Sequence, residues 1–279
     1  MVTGRAGTGS KNIFNINPDG FSFMQIAFHA QSHKGLVRQL NEDACLAMPE
    51  AGVWAVADGM GGHAAGDVAS QMVMDMLKTV VNNAGAALSP DMLSQALQDA
   101  NQALVQYSKR QLLGTMAGST VVVLFIQQGQ YHLLWAGDSR CYLLRNNKLQ
   151  QLSHDHSQVN EMVAQGLLAA SEAESHELAN VITRAVGVDA ELDVASCTDQ
   201  CRPGDLFLLC TDGLTKELPD NEIHQYLQHD DIADASKALL HSTLVAGAKD
   251  NITSILVKLQ SITYVNLNDE TIPLKLKIV

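Results

Sequence analysis

The sequence is short of positive charge. Lys and Arg together number 18 against 30 Asp and Glu, which leaves a formal net charge of −12. That balance disfavours nucleic acid and anionic membrane surfaces as partners. Long apolar runs are missing too. The longest, TVVVLFI from Thr120 to Ile126, is far too short to cross a bilayer. The N-terminus has no apolar signal region. No internal repeat or low-complexity block divides the chain. Cysteine is scarce and poorly spaced for metal chemistry. The five residues Cys45, Cys141, Cys197, Cys201 and Cys210 are an odd number, and the Cys197/Cys201 spacing matches no paired zinc knuckle. They read as reduced core residues of a cytoplasmic protein.

Apolar material, by contrast, is plentiful. Hydrophobic residues make up 46% of the 279, ample for a sizeable core. Strand-like runs fall near 24–30, 43–48, 52–58, 118–127, 130–137, 140–145, 206–211 and 252–259. Helical spacing starts at Ala65 and continues through Val68, Ala69, Met72, Val73, Met76, Leu77 and Val80. Ser89-Pro90 reads as an N-cap followed by proline at the first helical position. Two later helices are expected over 219–228 and 232–246, with a short one near 158–166. Strands therefore neighbour strands, and helices come in pairs. This pattern predicts an α+β fold of mainly antiparallel sheets covered by helices, rather than βαβ units. The expected organisation is a flexible leader over 1–22, one domain over 23–261 with a polar surface flap over about 153–204, and a tail over 262–279.

The chemistry collects at strand ends. In VWAVADGMGGHAAGDVAS an apolar run closes on Asp58, followed at once by Gly59. Asp-Gly alone is ordinary turn chemistry. The pattern recurs, however: Asp212 ends LFLLCTDG, Asp138 follows YHLLWAG, and Asp250 precedes ITSILVKL. Glu42 and Asp43 add an acidic pair at the start of another strand, with Arg38 just before. Two unit charges about 4 Å apart repel by roughly 4 kcal/mol at an effective dielectric near 20. Such a cluster must take up protons or cations. Oxygen-only ligands favour hard divalent ions, Mg²⁺ or Mn²⁺, over zinc. The Gly59 carbonyl, free of a side chain, could join them. An Arg fork pairs bidentately with phosphate oxygens, so Arg38 beside such acids suggests a phosphate ester held between Arg and metal.

These stretches, with AGSTVVVL, LSHDHS and VITRAVG, run in one order from about residue 26 to 259. In that order the chain resembles the metal-dependent serine/threonine protein phosphatases of the PPM family, type 2C, in their bacterial form. The resemblance implies a four-layer αββα sandwich with a metal cleft at one end of the sheets. It implies that Asp58 bridges two metals, with the Gly59 carbonyl, Asp212 and Asp250 completing the ligands of that pair. Glu42 and Asp43 would hold metal-bound waters or a metal directly. Arg38 would bind the substrate phosphate. Asp138, with Asp212, would support a third, weaker cation. Asn251, Asp155, His156 and Ser157 match family positions read as supporting ones.

One departure is visible. Many members carry histidine directly after Asp-Gly; here Met60 stands there, as in the bacterial Met-Gly-Gly-His arrangement, which leaves His63 as the candidate general acid. The implied reaction is hydrolysis of phosphoserine and phosphothreonine by in-line attack of a metal-bridging hydroxide. No Cys-x5-Arg loop supports a thiol route. The implied partners are phosphorylated proteins, the substrates of a Ser/Thr kinase, and a monomer is expected. A non-catalytic phosphoprotein sensor and a hydrolase of small phosphate esters stand as alternatives on the same fold.

Overall fold

The computed structural model describes residues 7–17, 20–61, 65–113, 115–169, 172–173, 176–179, 181–267 and 270–273. The elements follow in chain order. The first four strands are β1 (Gly7–Asn17), β2 (Gly20–His33), β3 (Asp43–Met48) and β4 (Val53–Gly61). Two long helices come next, α1 (Ala65–Ala84) and α2 (Pro90–Gln111). A run of strands follows: β5 (Ala117–Ser119), β6 (Val121–Gln127), β7 (Gln130–Ala136), β8 (Arg140–Arg145) and β9 (Lys148–Gln151). Then come α3 (Gln158–Ala164), β10 (Ala195–Gln200), β11 (Leu206–Cys210) and the short α4 (Asp212–Thr215). The chain closes with α5 (Asp220–Tyr226), α6 (Ile232–Ala246), β12 (Ile252–Leu267) and β13 (Glu270–Pro273).

Two antiparallel sheets form. One has the order β1-β2-β12-β11-β8-β9, with β13 on β12; the other has β10-β7-β6-β4-β3, with β5 on β4. Three cores follow from a period of two along each central strand. In β4, Val53, Ala55 and Ala57 face α1 and α2, while Trp54 and Val56 face the other sheet. β6 divides the same way, with Val121, Val123 and Phe125 on the helix side and Val122, Leu124 and Ile126 between the sheets. In β11, Phe207 and Leu209 enter the inter-sheet core, while Leu206, Leu208 and Cys210 pack under α5 and α6. Both faces of these strands are buried, so they read as continuous apolar runs without polar alternation. The four expected layers, helices, sheet, sheet, helices, are present. Trp54 is fully buried between the sheets, and truncating it to Ala would cost about 3–5 kcal/mol.

Helix starts fall where the sequence places them. Ser89 accepts a hydrogen bond from the Met92 amide, with Pro90 opening α2. Asp231 accepts from the amides of Ala233 and Asp234 at the start of α6. All five cysteines are free.

The boundaries differ from expectation at three places. The opening segment is not wholly a leader: β1 pairs with β2 from Gly7↔Ala30 to Asn17↔Gly20. Without it β2 would present an unpaired sheet edge. The signal lay in Pro18-Asp19-Gly20, a turn sequence between two runs. β12 likewise runs past residue 261 and takes β13 as a partner. The polar flap ends early, because Ala195–Gln200 joins β7 as β10. Only Ala195 and Cys197 of that edge strand pack inward, an alternation too shallow to read from sequence.

Candidate metal centre and phosphate cleft

Topology brings the acids to one end of the sandwich. β11 runs antiparallel to both its neighbours, with Cys210 opposite Ser254 of β12 and Arg140 of β8. The end of β11 therefore lies beside the starts of β12 and β8. Asp212, Asp250 and Asp138 occupy those three positions. In the other sheet, Asp43 opens β3 directly opposite Asp58 near the end of β4. A relay joins the two sheets: the Thr253 amide donates to Thr211 Oγ1 at 3.0 Å, and that hydroxyl donates to Asp43 Oδ2 at 2.9 Å.

The cluster is short of partners. Asp43 Oδ1, Asp138 Oδ1 and Asp212 Oδ1 are buried and accept no hydrogen bond. Burial, with the charges of Asp212 and Asp250 behind it, pushes Asp43 up to about 7. Burial and then Asp212 do the same to Asp138, also to about 7. Asp58 is lifted well above the carboxylate range by burial first, then by Asp43, Asp212, Asp138 and Asp250. Burial raises Glu42 as well. Orphaned, mutually raised carboxylates are what a hard divalent cation would satisfy. Among the described residues no three acidic or imidazole groups already stand in ligand geometry around one point. Instead, protein cations lie on two of the acids. Arg38 Nη2 donates to Asp250 Oδ2 at 2.8 Å, and Lys216 Nζ pairs with Asp212 Oδ2. The donor set fits Mn²⁺ or Mg²⁺ held by Asp58, Asp43, Asp212 and Asp250, with Asp138 beside Asp212.

The supporting residues have visible tasks. Asn251 pins the loop that carries Arg38: its Nδ2 donates to the carbonyls of Lys34 and Leu40, each at 2.9 Å, and its Oδ1 accepts from the Glu42 amide at 2.7 Å. Asp155 holds the Arg140 guanidinium with both oxygens, at 2.7–3.0 Å. His156 Nδ1 accepts from the Gly137 amide at 3.1 Å, and its ring stacks on Trp135. Asp155 and His156 thus fix the two sides of the Asp138 turn. Ser157 caps α3 through the Asn160 amide. The Asp58 amide donates to Thr120 Oγ1 at 3.0 Å.

Gly59 also has a packing reason absent from the sequence reading. A Cβ there would collide with the Gly66 carbonyl of α1, so only glycine lets the helix start approach β4. Gly66 is tight in turn, because a Cβ on it would meet the Glu42 carboxylate.

Arg38, Asp138, Asp212 and Asp250 line one cleft of about 570 Å³, together with Arg140, Lys216 and Lys249. His63 lies outside the described residues. Lys216 and Thr211 were not singled out from sequence. Lys216 had a legible signal, standing four residues after Asp212 at the spacing of a helical ion pair.

The likeness to known proteins agrees with this arrangement. The family described as protein phosphatase 2C matches residues 31–256. The serine/threonine phosphatase stp of Listeria monocytogenes is 35% identical over 208 residues, covering 73% of this chain and 82% of that protein. Serine/threonine protein phosphatase PstP of Mycobacterium tuberculosis is 33% identical over 86% of this chain, which spans only 46% of its length. A crystal structure of that phosphatase superposes with a TM-score of 0.78 at 34% identity, covering 84% of this chain and 99% of that one. The PstP catalytic domain in complex with two manganese ions gives a TM-score of 0.75 at 32% identity, covering 85% and 99%. PppA of Pseudomonas aeruginosa, described as a key regulatory component of T6SS, gives 0.76 at 40% identity, covering 84% and 97%. With most of its length inside the family match and the acids gathered at one end of both sheets, the chain belongs to the protein phosphatase 2C family.

Proposed function

We propose that this protein is a metal-dependent phosphatase that removes phosphate from serine and threonine residues of other proteins. The observation that carries this reading is the set of buried, unpaired oxygens on Asp43, Asp138 and Asp212, with Arg38 lining the cleft that Asp138, Asp212 and Asp250 also line. Asp58, Asp43, Asp212, Asp250 and the Gly59 carbonyl would hold two tight divalent cations, Mn²⁺ or Mg²⁺. Glu42 would contribute through bound water, and Asp138 with Asp212 would support a third, weaker ion. When bound, such a pair would supply an acidified water as nucleophile.

The chain's own residues do the rest. Arg38 binds the phosphate oxygens and orients the ester; only its Nη2 is engaged among the described residues, so the fork keeps donors for a ligand. Asn251 keeps the Arg38 loop in register. Asp155 and His156 hold the Asp138 turn. His63 is the candidate donor of a proton to the leaving oxygen. The substrates are phosphorylated proteins, products of a Ser/Thr kinase, and the enzyme acts as a cytoplasmic monomer. The likeness to named protein phosphatases supports phosphoprotein over small-ester substrates.

The test is direct. Metal-stripped protein should hydrolyse neither a phosphopeptide nor an aryl phosphate, and Mn²⁺ or Mg²⁺ should restore both. Full activity in excess chelator would refute the reading.

A further inference from the structure

Lys216 follows the short helix α4, one turn beyond Asp212, and its ammonium pairs with Asp212 Oδ2. The other oxygen of the same carboxylate, Oδ1, is buried and unpaired. The two oxygens of Asp212 thus meet different surroundings. Oδ1 is one of the buried, unpaired carboxylate oxygens, like those of Asp43 and Asp138, and Oδ2 meets a lysine in the cleft that Asp212 and Lys216 both line. Asp138 lines that cleft as well, and its own Oδ1 is buried without a partner. The positive charge of Lys216 acts on Asp138 as well as on Asp212.

Of the other cations that line the cleft, Arg140 is held by Asp155 and Tyr142, and Arg38 by Asp250. Lys249 lines the cleft too, but the ion pair on Asp212 is made by Lys216. Its side chain is 40% exposed, so the ammonium can leave without unpacking the core.

We propose that the Lys216 ammonium is a tethered competitor for the outer, third cation, occupying the charge position that Asp212 and Asp138 create. The inference rests on the metal-dependent reading above and goes beyond it. Two cations at Asp212 Oδ2 repel each other, and a lysine four residues away in sequence is present at high effective concentration whatever the metal level. A third ion must displace it and then tolerate its repulsion, so outer-site occupancy is set by this side chain as much as by metal supply. Asp212 Oδ1, buried and away from the lysine, stays free for the inner ions, so their affinity should not respond to Lys216.

Calorimetric titration of metal-stripped full-length protein with Mn²⁺ tests this, using wild type, Lys216→Met, Lys216→Gln, Lys216→Arg and the Lys216→Met/Asp138→Asn double variant. All should bind two ions tightly. The outer ion should bind about tenfold more tightly in the Met and Gln variants, as expected when one nearby positive charge is removed. It should stay weak in Lys216→Arg, and the gain should vanish in the double variant. An outer affinity in the folded Met or Gln variant that equals the wild type, or falls below it, overturns the proposal, as does the absence of any outer ion there. Loss of the tight pair, or failure of both neutral variants to fold, also overturns it, because Lys216 would then be a support of Asp212 and not a competitor. Should wild type bind no tight pair at all, the fault lies in the metal-dependent reading itself.

Discussion

Asp43 and Asp58 stand directly opposite one another across the β3–β4 ladder. Like charges at such a position destabilise a sheet, and burial sharpens the effect. The strain is relieved by protons when no cation is present, which gives the metal-free protein a definite pH dependence. Asp43 and Asp138 are pushed up to about 7 from an ordinary 3.8. Their folded-state values lie above their unfolded ones, so between about pH 4 and pH 7 the folded chain binds more protons, and stability falls as pH rises through that window. Metal-free protein should melt at a higher temperature near pH 5 than near pH 8. Mn²⁺ should raise the melting temperature far more at the higher pH, because the ion displaces those protons. Melts in chelator and in Mn²⁺ at both pH values check this; a metal-free melting temperature that climbs with pH would contradict it.

The same repulsion separates stability from activity at Asp58. Asp58→Asn removes a buried carboxylate that four others push upward, so the metal-free variant should be as stable as wild type or more so. Its turnover should fall by about a thousandfold, the equivalent of roughly 4 kcal/mol of barrier. Asp212→Asn and Asp250→Asn should lose comparable activity. Asp138→Asn should keep two tight ions and lose less. Chemical denaturation without metal, paired with Mn²⁺ calorimetry, separates these cases. Loss of a tight ion in Asp138→Asn would reassign that residue to the inner pair.

Much of this was legible in the sequence, for a physical reason. β4, β6 and β11 are buried on both faces, so they appear as unbroken apolar runs, and a carboxylate closing such a run stands out. Asp58 and Asp212 were visible on that ground, and Asp138 and Asp250 because they flank the apolar runs of β7 and β12. β10 was not, because only Ala195 and Cys197 face inward. The role of Asn251 was invisible because its partners, Lys34, Leu40 and Glu42, lie more than 200 residues away in the chain. Gly66 escaped because its constraint, the carboxylate of Glu42, is brought against α1 only by the fold.

Arg38 offers a third prediction. Its side chain is half exposed, and among the described residues its one ion pair is with Asp250. Arg38→Ala should raise KM for a phosphopeptide and lower kcat/KM by about ten- to a hundredfold, the range of a charge-assisted fork worth roughly 1.5–3 kcal/mol. The affinity for the two tight ions should change much less. Arg38→Lys should recover only part of the loss, because an ammonium lacks the planar fork that matches two phosphate oxygens. Unchanged kinetics in Arg38→Ala would leave this residue as a solvated countercharge to Asp250.

Asn251 should act on substrate binding without touching substrate. Its side chain makes three hydrogen bonds into the 34–42 segment, to the Lys34 carbonyl, the Leu40 carbonyl and the Glu42 amide. Asn251→Ala removes all three, at a net cost of about 0.5–1.5 kcal/mol each and more for any group left buried and unpaired. The variant should therefore lose about 2–4 kcal/mol of stability in urea denaturation. Its remaining folded fraction should show faster amide exchange confined to residues near 34–42. Because Arg38 rides on that segment, KM for a phosphopeptide should rise, while an aryl phosphate, which presents no peptide to the loop, should be affected less. Asn251→Asp keeps the acceptor for the Glu42 amide but loses both donors and adds a charge beside the acidic cluster. It should be worse than Ala at high pH in chelator, and partly rescued by Mn²⁺. A fully stable Asn251→Ala with unchanged exchange over 34–42 would show that the loop is held by its own packing and by the hydrogen bond that the Leu36 amide donates to the Ala248 carbonyl, and not by this side chain.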